Sequence, residues 1–161
     1  MPATARRSDT MTATRKTSPD SLSEDERAAI KERAVEVKKD ANRGRGNRAA
    51  LGEVDVLSKI AGMEPSDRAL AERVHAIVTG AAPELSPKLW YGQPAYARNG
   101  KVVCFFRSGH GDKEPYSTFG FTSAANLADD GGLWPTSYAV AELSDEAAAT
   151  ITALVKKATD A

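Results

Sequence analysis

Pro87-Lys88-Leu89-Trp90-Tyr91-Gly92-Gln93-Pro94-Ala95-Tyr96-Ala97-Arg98-Asn99-Gly100-Lys101-Val102-Val103-Cys104-Phe105-Phe106 is the stretch that decides the fold. Asn99-Gly100 stands between two apolar runs. A type I′ turn needs positive φ at both central residues, which Asn and Gly tolerate best, so the sequence predicts a β-hairpin. A turn there pairs Ala97 with Val102 and Ala95 with Cys104. Tyr96, Val103 and Phe105 then occupy the opposite face. Both faces are apolar, which places the hairpin inside a sheet rather than on a solvated arm. Pro94 has no N–H for a ladder and predicts an edge position or a bulge. With Gly92 it makes Trp90-Tyr91-Gly92-Gln93-Pro94 a kinked opening to the first strand, where side chains can face a cleft.

Upstream, Pro83 to Pro87 is a connection rich in helix breakers, and Ser86-Pro87 enforces extended backbone. A helix is predicted from about Ser66 to Thr79. Pro65 suits its first turn, Asp67 its positive end, Leu70, Val74, Ile77 and Val78 its buried stripe, and Gly80 its stop. His75, on the flank beside Glu72, reads as solvated. Val54, Leu57 and Ile60 suggest a shorter helix stopped by Gly62. Residues 51–161 are thus expected to form the folded domain. Before them, Ser23 and Glu26 make a capping box for a helix from Glu24 to about Asp40. Its apolar stripe, Ile30, Ala34, Val37 and Ala41, is thin, so the helix is expected to dock loosely or stand in solvent. Arg43-Gly44-Arg45-Gly46-Asn47-Arg48 reads as a flexible linker, and residues 1–22 as a disordered tail with almost nothing to bury.

Downstream, Ser108-Gly109-His110-Gly111-Asp112 is a turn. Tyr116 to Phe121 is a strand with Ser117, Phe119 and Phe121 on one face. Thr122 or Ser123 caps a brief helical turn, and Asp129-Asp130-Gly131-Gly132 breaks it. A further strand spans Ser137 to Leu143. Ser144 then caps a terminal helix with the stripe Ala147, Ile151, Leu154, Val155 and Ala158. The order gives an α+β fold: an antiparallel sheet of four to five strands with helices packed on one face.

Composition narrows the function classes. The chain has 161 residues, is 41% hydrophobic, and contains no apolar run approaching a membrane span. Its N-terminus lacks the apolar core of a secretory signal. The single cysteine, Cys104, excludes an intrachain disulfide and a multi-cysteine zinc site, and reads as a buried thiol in a reducing cytoplasm. Net charge is zero, but residues 1–50 carry +4 and residues 51–161 carry −4. An acidic folded part argues against a nucleic-acid-binding core.

No Walker sequence, dinucleotide fingerprint, His-Glu-x-x-His or nucleophile elbow is present. Ser108 and His110 are the one local nucleophile–base pairing, and turn chemistry explains both. Asp129 and Asp130, in their glycine-rich loop, are the candidate metal ligands. Glu24, Asp25 and Glu26 with Glu32 and Glu36 offer similar hard oxygens, although capping and a solvated face account for those. Trp90, Tyr91, Gln93, Tyr96 and Trp134 are the candidate ligand-binding residues, because amphipathic rings at strand ends and loops can line a pocket.

Leu-Ser-Pro-Lys-Leu-Trp-Tyr-Gly-Gln-Pro-Ala-Tyr (85–96), Gly-Lys-Val-Val-Cys-Phe-Phe (100–106), Thr-Phe-Gly-Phe (118–121), Ala-Asn-Leu (125–127) and Leu-Trp-Pro-Thr-Ser (133–137) resemble the YdhG-like family. That family is catalogued as a domain of unknown function, and some members are described as bacterial frataxin-like iron chaperones. The resemblance covers about Glu53 to Ala158. It implies a small cytoplasmic α+β domain with an antiparallel sheet, points to iron as the metal through those members, and carries over no catalytic residue. The expectation is therefore a non-enzymatic cytoplasmic protein that binds a metal or small ligand. The alternative is a small-molecule-binding or enzymatic domain with an aromatic pocket where the hairpin opens.

Overall fold

The computed structural model describes residues 24–41 and 45–160. The tail read over residues 1–22, the Ser23 cap and the Arg43-Gly44 part of the linker lie outside them. The elements in chain order are α1 (Glu24–Ala41), α2 (Arg45–Ala61), α3 (Pro65–Ala81), β1 (Ser86–Trp90), β2 (Gln93–Arg98), β3 (Lys101–Arg107), β4 (Ser117–Phe121), β5 (Ser137–Val140) and α4 (Asp145–Thr159). The strands form one antiparallel sheet in the order β1-β2-β3-β4-β5. None of the described helices is long and apolar enough to cross a membrane.

Two tight turns build the first three strands. Asn99 and Gly100 have φ of 52° and 80°, as a type I′ turn requires. Tyr91 and Gly92 repeat the geometry at 51° and 76°, closing β1 onto β2 with Trp90 opposite Gln93. The predicted kinked strand opening is thus a second hairpin. β2 also lies inside the sheet rather than at its edge. Pro94 is tolerated there because pairing with β3 starts one residue later, at Ala95↔Phe105. On the β1 side Pro94 faces Leu89, next to the hydrogen-bonded pair that flanks the turn, where no ladder N–H is required.

The predicted pair Ala97↔Val102 is present, but Ala95 faces Phe105 rather than Cys104. A bulge between Tyr96 and Ala97 shifts the register by one. The shift sets Tyr96 opposite Cys104, and Cys104 is opposite Phe121, so these three share the inner face. Phe106 and Phe119 lie one pair further along. Against this face pack Val56 and Ile60 of α2, Ala71, Val74 and Val78 of α3, and Ile151, Val155 and Ala158 of α4, in one core. Each fully buried valine there is worth about 1.5–3 kcal/mol. On the outer face the Phe105 ring lies across Gly120, where a Cβ would come within 2.5 Å of its Cζ.

The helices depart from the sequence reading at their ends. α2 starts at Arg45, so Arg45–Arg48, read as linker, is helical, and the domain boundary expected at Leu51 falls within this helix. α3 runs through Gly80 to Ala81. Its stop is set by Ala82, which precedes Pro83 and takes the extended φ of −139° that a following proline favours. α4 matches its prediction, with the Ser144 hydroxyl accepting from Ala147 N at 3.1 Å. The brief helical turn read after Thr122 is a non-helical turn. There Asn126 N donates to Ala158 O at 2.9 Å, binding the loop to α4. β5 ends at Val140, three residues before the predicted Leu143.

The thin apolar stripe read on α1 faces solvent. Ile30, Ala34 and Val37 are exposed, whereas Glu36 is 9% exposed. The Glu36 carboxylate accepts from Tyr91 N at 3.1 Å and Gly92 N at 2.8 Å, and the Arg33 guanidinium sits 5.5 Å from the Tyr91 ring centroid. A polar clasp, rather than an apolar stripe, seats the helix.

Candidate metal centre

The turn from α2 into α3 and the loop after β3 meet at one acidic point. Pro65 opens α3 and Glu64 is its N-cap, so Asp67 falls in the first turn, where the helix dipole favours a carboxylate. Asp67 is nevertheless buried, at 6% exposure, and it is the hub of the β3–β4 loop. Its Oδ2 accepts from the Ser108 hydroxyl and from His110 N at 2.9 Å, and its Oδ1 accepts from the Ser117 hydroxyl at 3.3 Å. Burial pushes the Asp67 carboxyl up, but these three donors outweigh it and hold the group below the usual aspartate value. The Ser108 hydroxyl also accepts from Gly111 N at 3.3 Å. The hydroxyl thus donates to α3 and accepts within its own loop.

The anchored loop carries His110 back over the start of α3. Its Nδ1 lies 3.8 Å from Glu64 Oε2. Glu64 Oε2 itself accepts from Ser66 N at 3.2 Å and from the Ser66 hydroxyl at 2.6 Å. The Ser66 hydroxyl is the main reason that the Glu64 carboxyl lies below its ordinary value. Glu64, Asp67 and His110 each offer one ligand atom, and these atoms lie within 4.8 Å of one another. Among the described residues no other group of three His, Cys, Asp or Glu does so. Two carboxylates and one imidazole suit a divalent first-row metal of the iron or manganese type. The hydroxyls of Ser66, Ser108 and Ser117 orient the carboxylates from behind, as an outer shell does. Glu64 and His110 open onto a cavity of about 420 Å³, which Lys59, Met63, Gln93 and Ser108 also line. A metal held here would keep positions facing that space.

The residues singled out from sequence are dispersed. Asp129 and Asp130 are exposed in the β4–β5 loop and, among the described residues, contribute to no three-residue cluster. Tyr96 is fully buried in the core. Trp90 and Tyr91 meet edge to face at 5.1 Å, and Trp90 packs on Phe105 at 5.4 Å. Gln93, opposite Trp90 across the first hairpin, lines the cavity beside Glu64 and His110, its Oε1 accepting from Ser108 N at 3.3 Å. Trp134 is 40% exposed in the β4–β5 loop. The structure therefore joins Trp90 to Tyr91 but not the five into one pocket.

His75 corrects a further reading. Its Nδ1 is 2.9 Å from the Tyr96 hydroxyl and its Nε2 is 3.6 Å from Glu53 Oε1. The side chain is 12% exposed, so it is an interior link between α2, α3 and β2 rather than a solvated group. Glu64 and His110 were missed as candidate ligands because 46 positions separate them. The one local signal was Asp67, an acid beside the helix start whose partners lay beyond reach of any sequence window.

Comparison of the chain with family models, curated proteins and solved structures returned no match.

Proposed function

We propose that this is a non-enzymatic cytoplasmic protein that binds a divalent metal, with iron(II) as its cargo, through Glu64, Asp67 and His110. The observation that carries the reading is the convergence of these three ligand atoms within 4.8 Å at the edge of an open cavity. Both carboxyls are held below their ordinary values, so both are anionic at neutral pH without a metal to stabilise them. The resemblance to the YdhG-like family, some of whose members are described as iron chaperones, supports the same choice of metal. An open coordination sphere suits a carrier, because the ion can exchange ligands on the cavity side.

Anaerobic calorimetry tests this. Iron(II) is expected to bind one equivalent to the full chain, and His110→Ala to weaken that binding at least tenfold. No heat above buffer dilution, or equal affinity in both proteins, overturns the proposal.

A further inference from the structure

A second cavity, of about 500 Å³, lies beneath α1 and is bounded by α2 and β1. Ala28 and Val35 of α1, Gly52 of α2 and Leu89 of β1 give it apolar walls. At one end stands the Tyr91–Gly92 turn, whose two amides converge on the Glu36 carboxylate at 3.1 and 2.8 Å. Adjacent backbone N–H groups directed at one carboxylate constitute an anion seat. The seat belongs to the sheet, whereas its occupant belongs to the helix laid over it. The turn is also tailored to a close neighbour: a Cβ on Gly92 would come within 1.8 Å of Glu32 Oε2.

We propose that the groove beneath α1 binds a small amphipathic carboxylate, whose head takes the Tyr91 and Gly92 amides in exchange for Glu36 and whose apolar body lies along Leu89, Val35 and Ala28. The seat already holds a carboxylate, so the head group it accepts is defined by its present partner. The lining balances Lys31, Lys59 and Lys88 against Glu32, Glu36 and Asp55. A ligand that brings its own carboxylate as Glu36 withdraws leaves that balance unchanged. The volume falls in the range of small-molecule sites. Glu36 is thus a built-in competitor that sets the affinity.

Octanoate titration of the full chain, read by amide NMR and calorimetry, tests the proposal, with octanol as the neutral control. Octanoate is expected to shift the Tyr91 and Gly92 amide resonances saturably, and octanol is not. Glu36→Gln keeps an acceptor over the two amides and so keeps α1 seated. Its neutral amide competes less well than a carboxylate, and octanoate binding is expected to tighten at least fivefold. Val35→Trp, an exchange at a half-exposed site on the appended helix, fills the groove and is expected to weaken binding at least tenfold. The α2–α4 core is untouched by both variants. No saturable shift at the two amides, an equal response to octanol, or loss of binding in Glu36→Gln overturns the proposal. Iron(II) binding serves as the independent readout, because Glu64, Asp67 and His110 lie outside this groove.

Discussion

The Asp67 carboxylate at the start of α3 accepts a buried hydrogen bond from the Ser108 hydroxyl just beyond β3, across 41 residues of sequence. The same oxygen takes the His110 amide, so one side chain fixes both the path of the β3–β4 loop and the place of His110 beside Glu64. Loop architecture and the geometry of the candidate metal centre share this anchor.

Asp67→Asn replaces an acceptor-only group by one that must aim an NH2 at a donor. It is expected to cost about 2 kcal/mol at pH 7, read from urea unfolding. The pH dependence carries a sign. Asp67 titrates lower in the folded chain than an ordinary aspartate near 3.8, so its contribution is complete above about pH 4. It fades as pH falls through the lowered folded value. The gap between wild type and Asp67→Asn should therefore narrow below pH 4, and a constant gap would show that the charge is irrelevant.

Gly52 lets α2 lie directly on β1: a Cβ there would stand 2.3 Å from the Pro87 carbonyl oxygen. Helix propensity alone favours Gly52→Ala by about 1 kcal/mol. Overpacking against backbone that cannot give way costs about 1–3 kcal/mol and is expected to win. Thermal unfolding should show a lower midpoint for Gly52→Ala, and a raised midpoint would contradict this packing.

Tyr96→Phe removes the hydroxyl that meets His75 Nδ1 at 2.9 Å in the interior. A loss of about 1 kcal/mol is expected, because the histidine nitrogen keeps its burial without its partner. Denaturant midpoints of Tyr96→Phe and wild type check it.

Cys104 is completely buried, and burial pushes its thiol up to about 12. In the native protein at pH 8 it should resist a thiol reagent that labels it at once in urea. Rapid native labelling would show that the core opens at β3.

Sequence periodicity carried the sheet and the terminal helix because their signals are local. Asn99-Gly100 demands a tight turn, and Ile151, Val155 and Ala158 mark one face of α4. Pro94 announced an edge or a bulge in β2, but the bulge falls between Tyr96 and Ala97, since nothing in an alternating strand says that Tyr96 must reach His75 and Cys104. What seats α1 was illegible for a related reason: its thin apolar stripe could be read, but its partner is a pair of backbone amides in a turn. Glu36 has no sequence neighbour that announces such a seat. The candidate metal ligands escaped in the same way, because Asp67 draws His110 to Glu64 through hydrogen bonds that bridge distant segments.

Manganese(II) titration followed by amide NMR line broadening tests the central claim most directly, because it locates the ion. At substoichiometric manganese(II), broadening is expected first at residues 64–67 and 108–111, and to vanish there in His110→Ala. Broadening centred instead on Asp129 and Asp130, or spread evenly over the acidic surface, would contradict a metal centre at Glu64, Asp67 and His110.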